Sequence, residues 1–225
     1  MSRSGRPEPI ELYFDYVSHN AYLAWHRLGP LAAAAGRGVR AIPVVFGALL
    51  RAHRQLGPAE VPPKARWMVR DVARKAHDLA LPLQPPASHP FLSLLALRVT
   101  TLATEEHERR APALIAALFD AAWGRSLPID QPSVVAETAS SVGLEGESLV
   151  ERATQPEIKA KLRDATDRAL AKGVFGVPTM IADERLFWGF DDLVNLERYL
   201  EGEDPLESID LSEWWRVRPS VERRR

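Results

Sequence analysis

The chain has 225 residues, 46% hydrophobic and 26% charged, which suits one domain, or one domain with a large insertion, around a sizeable core. Its formal net charge of -1 provides no global field to recruit nucleic acid or an anionic membrane, and its lack of cysteine excludes disulfide exchange, cysteine nucleophiles and Cys–zinc sites. The start, Met1 to Pro9, is polar, and no run approaches the roughly 20 apolar residues that span a bilayer, so a cytoplasmic protein is expected.

In chain order, Ile10 to Phe14 reads as a first strand, apolar and rich in β-favouring aromatics. Asp15 to Asn20 reads as a loop in which Ser18 or Asn20 caps a helix running through Tyr22, Leu23, Trp25 and Leu28 to about Gly36. Val39 to Phe46 is expected to be a second strand, with Pro43 placing it at a sheet edge or strand start. A β-α-β opening implies a parallel pair with a right-handed crossover.

From Pro62 to Lys172 the pattern turns helical. The expected helices are 64–79, 92–106, 111–123, 131–142, 146–153 and 156–172, with Asp130 and Thr154 as caps ahead of Pro132 and Pro156. Strand character returns at Pro178 to Ala182, Asp183-Glu184 makes a turn, and Leu186 to Trp188 forms another strand. A final helix spans Asp191 to Leu200, and the tail from Gly202 is irregular.

These elements describe an α/β fold in which β-α-β and β-β-α units bracket an all-helical insertion, a thioredoxin-like arrangement. The expected organisation is a thioredoxin-like domain over 10–50 and 173–201, an inserted helical domain over 60–172, and a tail over 202–225. The basic end, Arg223 to Arg225, reads as a solvated tail.

Four places carry candidate chemistry. In redox enzymes of this architecture a Cys-x-x-Cys pair follows the first strand at a helix start, where the helix dipole lowers a thiol pKa. Here Ser18 and Ala21 stand in those positions. Read locally, Ser18 is a helix cap; a serine hydroxyl has no useful nucleophilicity without a base, but it can donate a hydrogen bond to a thiolate brought by a ligand. Pro178, between a glycine-containing loop and a strand, stands where this architecture holds a cis peptide that exposes backbone for an extended peptide to pair with. The Trp188 to Leu193 segment opens the last helix. Its amides suit a carboxylate and Asp191 suits an ammonium, although capping explains an aspartate there equally well. Lys64, Arg66 and Arg70 lie loosely along one face after Pro62-Pro63. The six histidines show no metal-ligand spacing, so no metal site is expected.

Taken together, the residues resemble the 2-hydroxychromene-2-carboxylate isomerase family, relatives of kappa-class glutathione transferases within the DsbA-like thioredoxin superfamily. The resemblance rests on Tyr13-Phe14-Asp15-Tyr16-x-Ser18-x-x-Ala21-Tyr22-Leu23, Gln55 to Lys64, His89-Pro90-Phe91, Ala96-Leu97-Arg98, Gly173 to Thr179, and Phe187-Trp188-Gly189-x-Asp191-x-Leu193. It implies glutathione as cofactor and a cis-trans isomerisation of an aromatic-catabolism intermediate through reversible thiolate addition. By resemblance, Ser18 hydrogen-bonds the glutathione sulfur. Val177, ahead of Pro178, pairs with its cysteinyl backbone, and Phe190 and Asp191 hold its γ-glutamyl end. Gln55 and Lys64 match further glutathione-contacting positions. The chain departs from the family at His19-Asn20, Phe190, Asp192 and Leu92-Ser93, where the family usually has Pro after the serine, a small polar residue, Arg, and Asn-Pro.

The implied partners are a small aromatic or electrophilic substrate and a second copy of the chain in a homodimer. Two other readings of the same residues are a kappa-like transferase acting on other electrophiles and a non-catalytic module that binds a thiol or peptide in the thioredoxin groove.

Overall fold

The computed structural model describes residues 7–220. Four strands form one sheet in the order β2-β1-β3-β4, with β1 (Ile10–Phe14) parallel to β2 (Val39–Pro43) and antiparallel to β3 (Thr179–Ala182), which pairs antiparallel with β4 (Arg185–Trp188). Every residue of β1 is buried, as a central strand covered on both faces requires. Alternation along β1 serves two cores. Ile10, Leu12 and Phe14 join the larger cluster, while Tyr13 packs with Val44, Leu49, Val174, Val177 and Ile181 on the opposite face. Glu11 shares the Tyr13 face and is buried there against the Tyr13 hydroxyl at 2.6 Å, Lys172 at 2.7 Å, and Arg40.

The α/β class and the thioredoxin-like architecture are those expected. Helix α1 (His19–Ala34) follows β1, and α2 (Phe46–Ala52) follows β2. Helices α3 (Pro62–Asp78), α4 (Leu94–Glu106), α5 (Ala111–Phe119), α6 (Pro132–Ser141), α7 (Gly146–Arg152) and α8 (Pro156–Ala171) then lie in sequence between α2 and β3, and α9 (Leu193–Glu201) follows β4. Helix α5 ends in a π turn, Asp120–Gly124, that carries Trp123 into the core.

Three expectations are corrected. The second strand stops at Pro43, and Phe46 opens α2. Here tertiary hydrogen bonds override β propensity: Thr166 Oγ1 accepts from Val45 N at 3.0 Å, and Asp15 Oδ2 accepts from Phe46 N at 2.9 Å. The caps of α6 and α8 are Gln131 and Gln155, not Asp130 and Thr154. With Pro132 and Pro156 at the first helical position, the preceding residue is pushed to extended backbone, which is the N-cap conformation. Thr154 instead donates to Glu151 O at 2.7 Å. The final helix begins at Leu193, because the chain from Gly189 to Asp192 is a turn with φ +85° at Gly189. The basic end Arg223 to Arg225 and the start Met1 to Arg6 lie outside the described residues.

The β3–β4 hairpin turns on Asp183 and Glu184, both at positive φ (48° and 71°), as a two-residue turn matched to strand twist requires. Aspartate tolerates that region, and here the Asp183 carboxylate is held by Arg37 at 2.5 Å and by the Tyr199 hydroxyl at 3.1 Å.

Candidate functional site

The site is built where β1 hands over to α1. Asp15, buried at the end of β1, accepts from Val17 N at 3.1 Å, Phe46 N at 2.9 Å and the Ser93 hydroxyl at 2.5 Å. Burial pushes its carboxyl above the ordinary aspartate value, against the pull of those three bonds. The turn it fixes delivers Ser18 as the N-cap of α1, where its Oγ accepts from Ala21 N at 3.2 Å. Ser18 Oγ also donates to Val177 O, at a long 3.4 Å, across 159 residues of sequence.

The Val177–Pro178 peptide is cis. The loop that carries it is pinned on both sides: Thr179 Oγ1 donates to Gly176 O at 2.7 Å, and Gly189 N donates to Pro178 O at 2.8 Å. Gly176 packs closely under Trp188: a Cβ there would stand 2.6 Å from Trp188 Nε1, so any larger residue displaces that indole. Val177 N makes no hydrogen bond among the described residues.

The turn between β4 and α9 presents Phe190 and Asp191. Asp191 is not a helix cap. Its side chain is 78% exposed and reaches the Lys75 ammonium at 2.7 Å, while Lys75 also lies 2.7 Å from Asp71, one turn earlier on α3. The Phe190 ring centroid is 5.4 Å from the same ammonium. Partial burial pulls the Lys75 pKa down, but the bonds to Asp191 and Asp71 outweigh it and hold the ammonium above the usual lysine range. The next residue, Asp192, spends its carboxylate on local structure, accepting from Trp188 N at 2.8 Å and Asn195 Nδ2 at 2.7 Å.

Beside Ser18, the His19 ring is buried at 7% exposure, 5.5 Å edge-on from Trp123 and 6.1 Å from His89. Its Nδ1 and the neighbouring Asn20 Oδ1 are both buried without a hydrogen-bond partner among the described residues. Desolvation, with repulsion from His89 added, lowers its pKa to about 4, so the imidazole is neutral near pH 7. His89 lies 3.0 Å through Nε2 from Val17 O, and Phe91 closes the aromatic group at 5.8 Å from Trp123.

The structure therefore brings Ser18 to Val177, and Phe190 and Asp191 to Lys75. Gln55 and Lys64 lie on the exposed stretch from α2 into α3, and neither side chain hydrogen-bonds Ser18, Val177 or Asp191. Sequence reasoning missed Lys75 and Asp71. Their spacing of four on a helix was legible as a pair, but the contact with Asp191 spans 116 residues. It also missed Asp15 and Ser93 as the clamp that sets the turn. A cavity of about 790 Å³ opens elsewhere, at the β2 edge between Arg40, Pro43, Glu105, Lys161 and Arg168.

Comparison with known proteins matches residues 9–201 to the DSBA-like thioredoxin domain family. A 2-hydroxychromene-2-carboxylate isomerase of Sphingobium xenophagum is 31% identical over 193 residues, covering 85% of this chain and 97% of the relative. Human glutathione S-transferase kappa 1 is 24% identical over 186 residues, covering 78% and 81%. A solved structure of 2-hydroxychromene-2-carboxylate isomerase superposes with a TM-score of 0.79 at 25% identity, covering 88% of this chain and 97% of that one.

Proposed function

Because the chain belongs to the DSBA-like thioredoxin domain family, on its 2-hydroxychromene-2-carboxylate isomerase branch, we propose that it is a glutathione-dependent cis-trans isomerase of an aromatic-catabolism intermediate. The observation that carries the reading is Ser18: in a chain without cysteine, its hydroxyl caps α1 and lies 3.4 Å from the Val177 carbonyl. That distance exceeds the usual O–H···O range of about 2.5–3.0 Å, so the proton is weakly engaged and free to re-aim. Glutathione, when bound, supplies a thiolate that adds reversibly to a conjugated substrate, so that a double bond can turn.

The chain's own residues orient and stabilise. Ser18 offers an O–H, and the free amides of the first turn of α1 offer partial positive charge, to a sulfur in the groove. The unpaired Val177 N–H offers strand-like pairing to a cysteinyl backbone, with Pro178 setting the loop. Phe190 and Asp191 take the γ-glutamyl end, and Gln55 and Lys64 flank the groove from the α2–α3 side. His89 and Phe91, packed on the buried Trp123 beside the turn that carries Ser18, offer aromatic surface to a small planar electrophile. The enzyme acts in the cytoplasm as a homodimer on this reading. No helix among the described residues is long and apolar enough to cross a membrane.

Titration calorimetry with glutathione tests the cofactor, and absence of binding at millimolar ligand sinks it. The Ser18→Ala variant is expected to lose about 10²-fold in kcat while keeping its melting temperature within a few degrees, the size of effect seen when one donor to a developing charge is removed. Unchanged turnover would leave Ser18 as a cap alone. The relatives named as kappa transferases favour a second reading, transfer to an electrophile. Product analysis separates the two: an isomerase returns free thiol after each turnover, and a transferase consumes it.

A further inference from the structure

Lys75 lies at the centre of the Asp191 corner, although no sequence motif points to it. Its ammonium has three N–H donors, and three carboxylate oxygens surround it: Asp71 Oδ2 at 2.7 Å, Asp191 Oδ1 at 2.7 Å and Asp191 Oδ2 at 2.8 Å. The Lys75 and Asp71 side chains are 14% and 21% exposed, against 78% for Asp191. The cation is thus anchored within α3 by Asp71 and is joined to the exposed surface through Asp191. Two ionised carboxylates offer more acceptor sites than one ammonium can fill, so Asp191 has capacity to spare. Asp192 differs from Asp191 in being committed to local structure, one oxygen accepting from Trp188 N and the other from Asn195 Nδ2.

A fixed cation and an exposed carboxylate side by side are the complement of an α-amino-acid group. Resting on the glutathione reading, we propose that Lys75 is a specificity-determining residue of the thiol site, recognising the α-carboxylate of the γ-glutamyl end. On binding, Asp191 turns one oxygen to the ligand's ammonium. The Lys75 N–H so released is given to the ligand's α-carboxylate, and Asp71 keeps the Lys75 ammonium in place. No donor is left without an acceptor in either state. The Phe190 ring centroid lies 5.4 Å from the same cation. A thiol lacking either charge breaks the exchange at one of its two points.

The test is calorimetry on the full chain with three probes: glutathione, glutaryl-cysteinyl-glycine, which lacks the ammonium, and 4-aminobutanoyl-cysteinyl-glycine, which lacks the α-carboxylate. Each analogue is expected to bind wild type about tenfold more weakly than glutathione, the scale of one charge-assisted hydrogen bond. Lys75→Met, which keeps the stem and removes the charge, is expected to bind glutathione and the carboxylate-free analogue equally, while still discriminating against the ammonium-free one. Equal binding of glutathione and the carboxylate-free analogue by wild type overturns the proposal without any variant. So does a Lys75→Met protein that keeps the tenfold preference, or that binds glutathione more tightly. If wild type binds no glutathione at all, the cofactor reading fails and takes the Lys75 assignment with it; if wild type binds glutathione but ignores the carboxylate, only the Lys75 assignment falls.

Discussion

His19 follows Ser18 directly, yet the two side chains answer to different surroundings. Ser18 is half-buried with a loosely held proton, whereas the His19 ring is buried between Trp123 and His89. The identity of His19 was legible in the sequence as a place where the family usually carries proline, but its burial depends on Trp123 and His89, which are far along the chain. The groups that act on it are His89 and Lys75, which lower its pKa further, and Asp71 and Asn20, which oppose them. With a native pKa of about 4 against an ordinary 6.5, the sign follows directly. Above pH 6.5 the ring is neutral in both folded and unfolded chains and contributes nothing. Between 6.5 and 4 the unfolded chain takes a proton that the native state refuses, so stability falls as pH falls, by about 1.4 kcal/mol per pH unit. Urea unfolding at pH 7 and pH 5 is therefore expected to show a loss in wild type exceeding that of His19→Gln by about 2 kcal/mol. Equal losses would mean that His19 protonates freely in the folded state.

At the scale of elements, the parts that were legible are those whose pattern is local. The β1 run, the apolar faces of the helices and the Asp183-Glu184 turn all follow from periodicity and turn chemistry within about ten residues. What failed was α2, where Val44-Val45-Phe46 has strand composition. The deciding contacts lie at Asp15 and Thr166, 31 and 121 residues away. Asp15 joins three elements at one carboxylate: the turn into α1 through Val17 N, the start of α2 through Phe46 N, and the start of α4 through Ser93. Removing it leaves buried donors on each, and an unsatisfied buried donor costs about 1–3 kcal/mol. The Asp15→Ala variant is expected to lose at least about 3 kcal/mol in denaturant unfolding, and to weaken any ligand that depends on Ser18, since the turn that aims it is no longer held. A loss below about 1 kcal/mol would show that water replaces the carboxylate at all three points.

For the whole molecule, two long-range pairings hold the candidate site: Ser18 with Val177, and Lys75 with Asp191. The architecture and the resemblance placed Ser18 and the Val177-Pro178 loop at one site without pairing the two, and the second pairing was not readable at all, since nothing in either segment names the other. The same distinction applies to the tail beyond the matched domain, which ends at residue 201. The sequence reads that tail only as irregular. In the structure it forms two short turns, Pro205–Glu207 and Trp214–Arg216, anchored by Arg185 on Asp204 at 3.0 Å. Trp214, Trp215 and Val217 are left 71%, 79% and 73% exposed. Adjacent exposed indoles on a single chain are costly in water, at about 25 cal/mol for each Å² of apolar surface, and such surface marks association sites. Because the tail lies outside the matched domain, its exposed apolar surface, and not the family, makes it a place to test for self-association. Light scattering is expected to give a mass of about 50 kDa for the full chain, twice the 25.0 kDa of one copy. A double Trp214→Ser, Trp215→Ser variant is expected to shift the chain toward the single-copy mass with its far-UV circular dichroism unchanged, because neither ring is buried in the fold of one copy, and with a melting temperature lowered by the loss of the partner. A variant that remains fully dimeric would move the interface to another surface and leave the tail outside it.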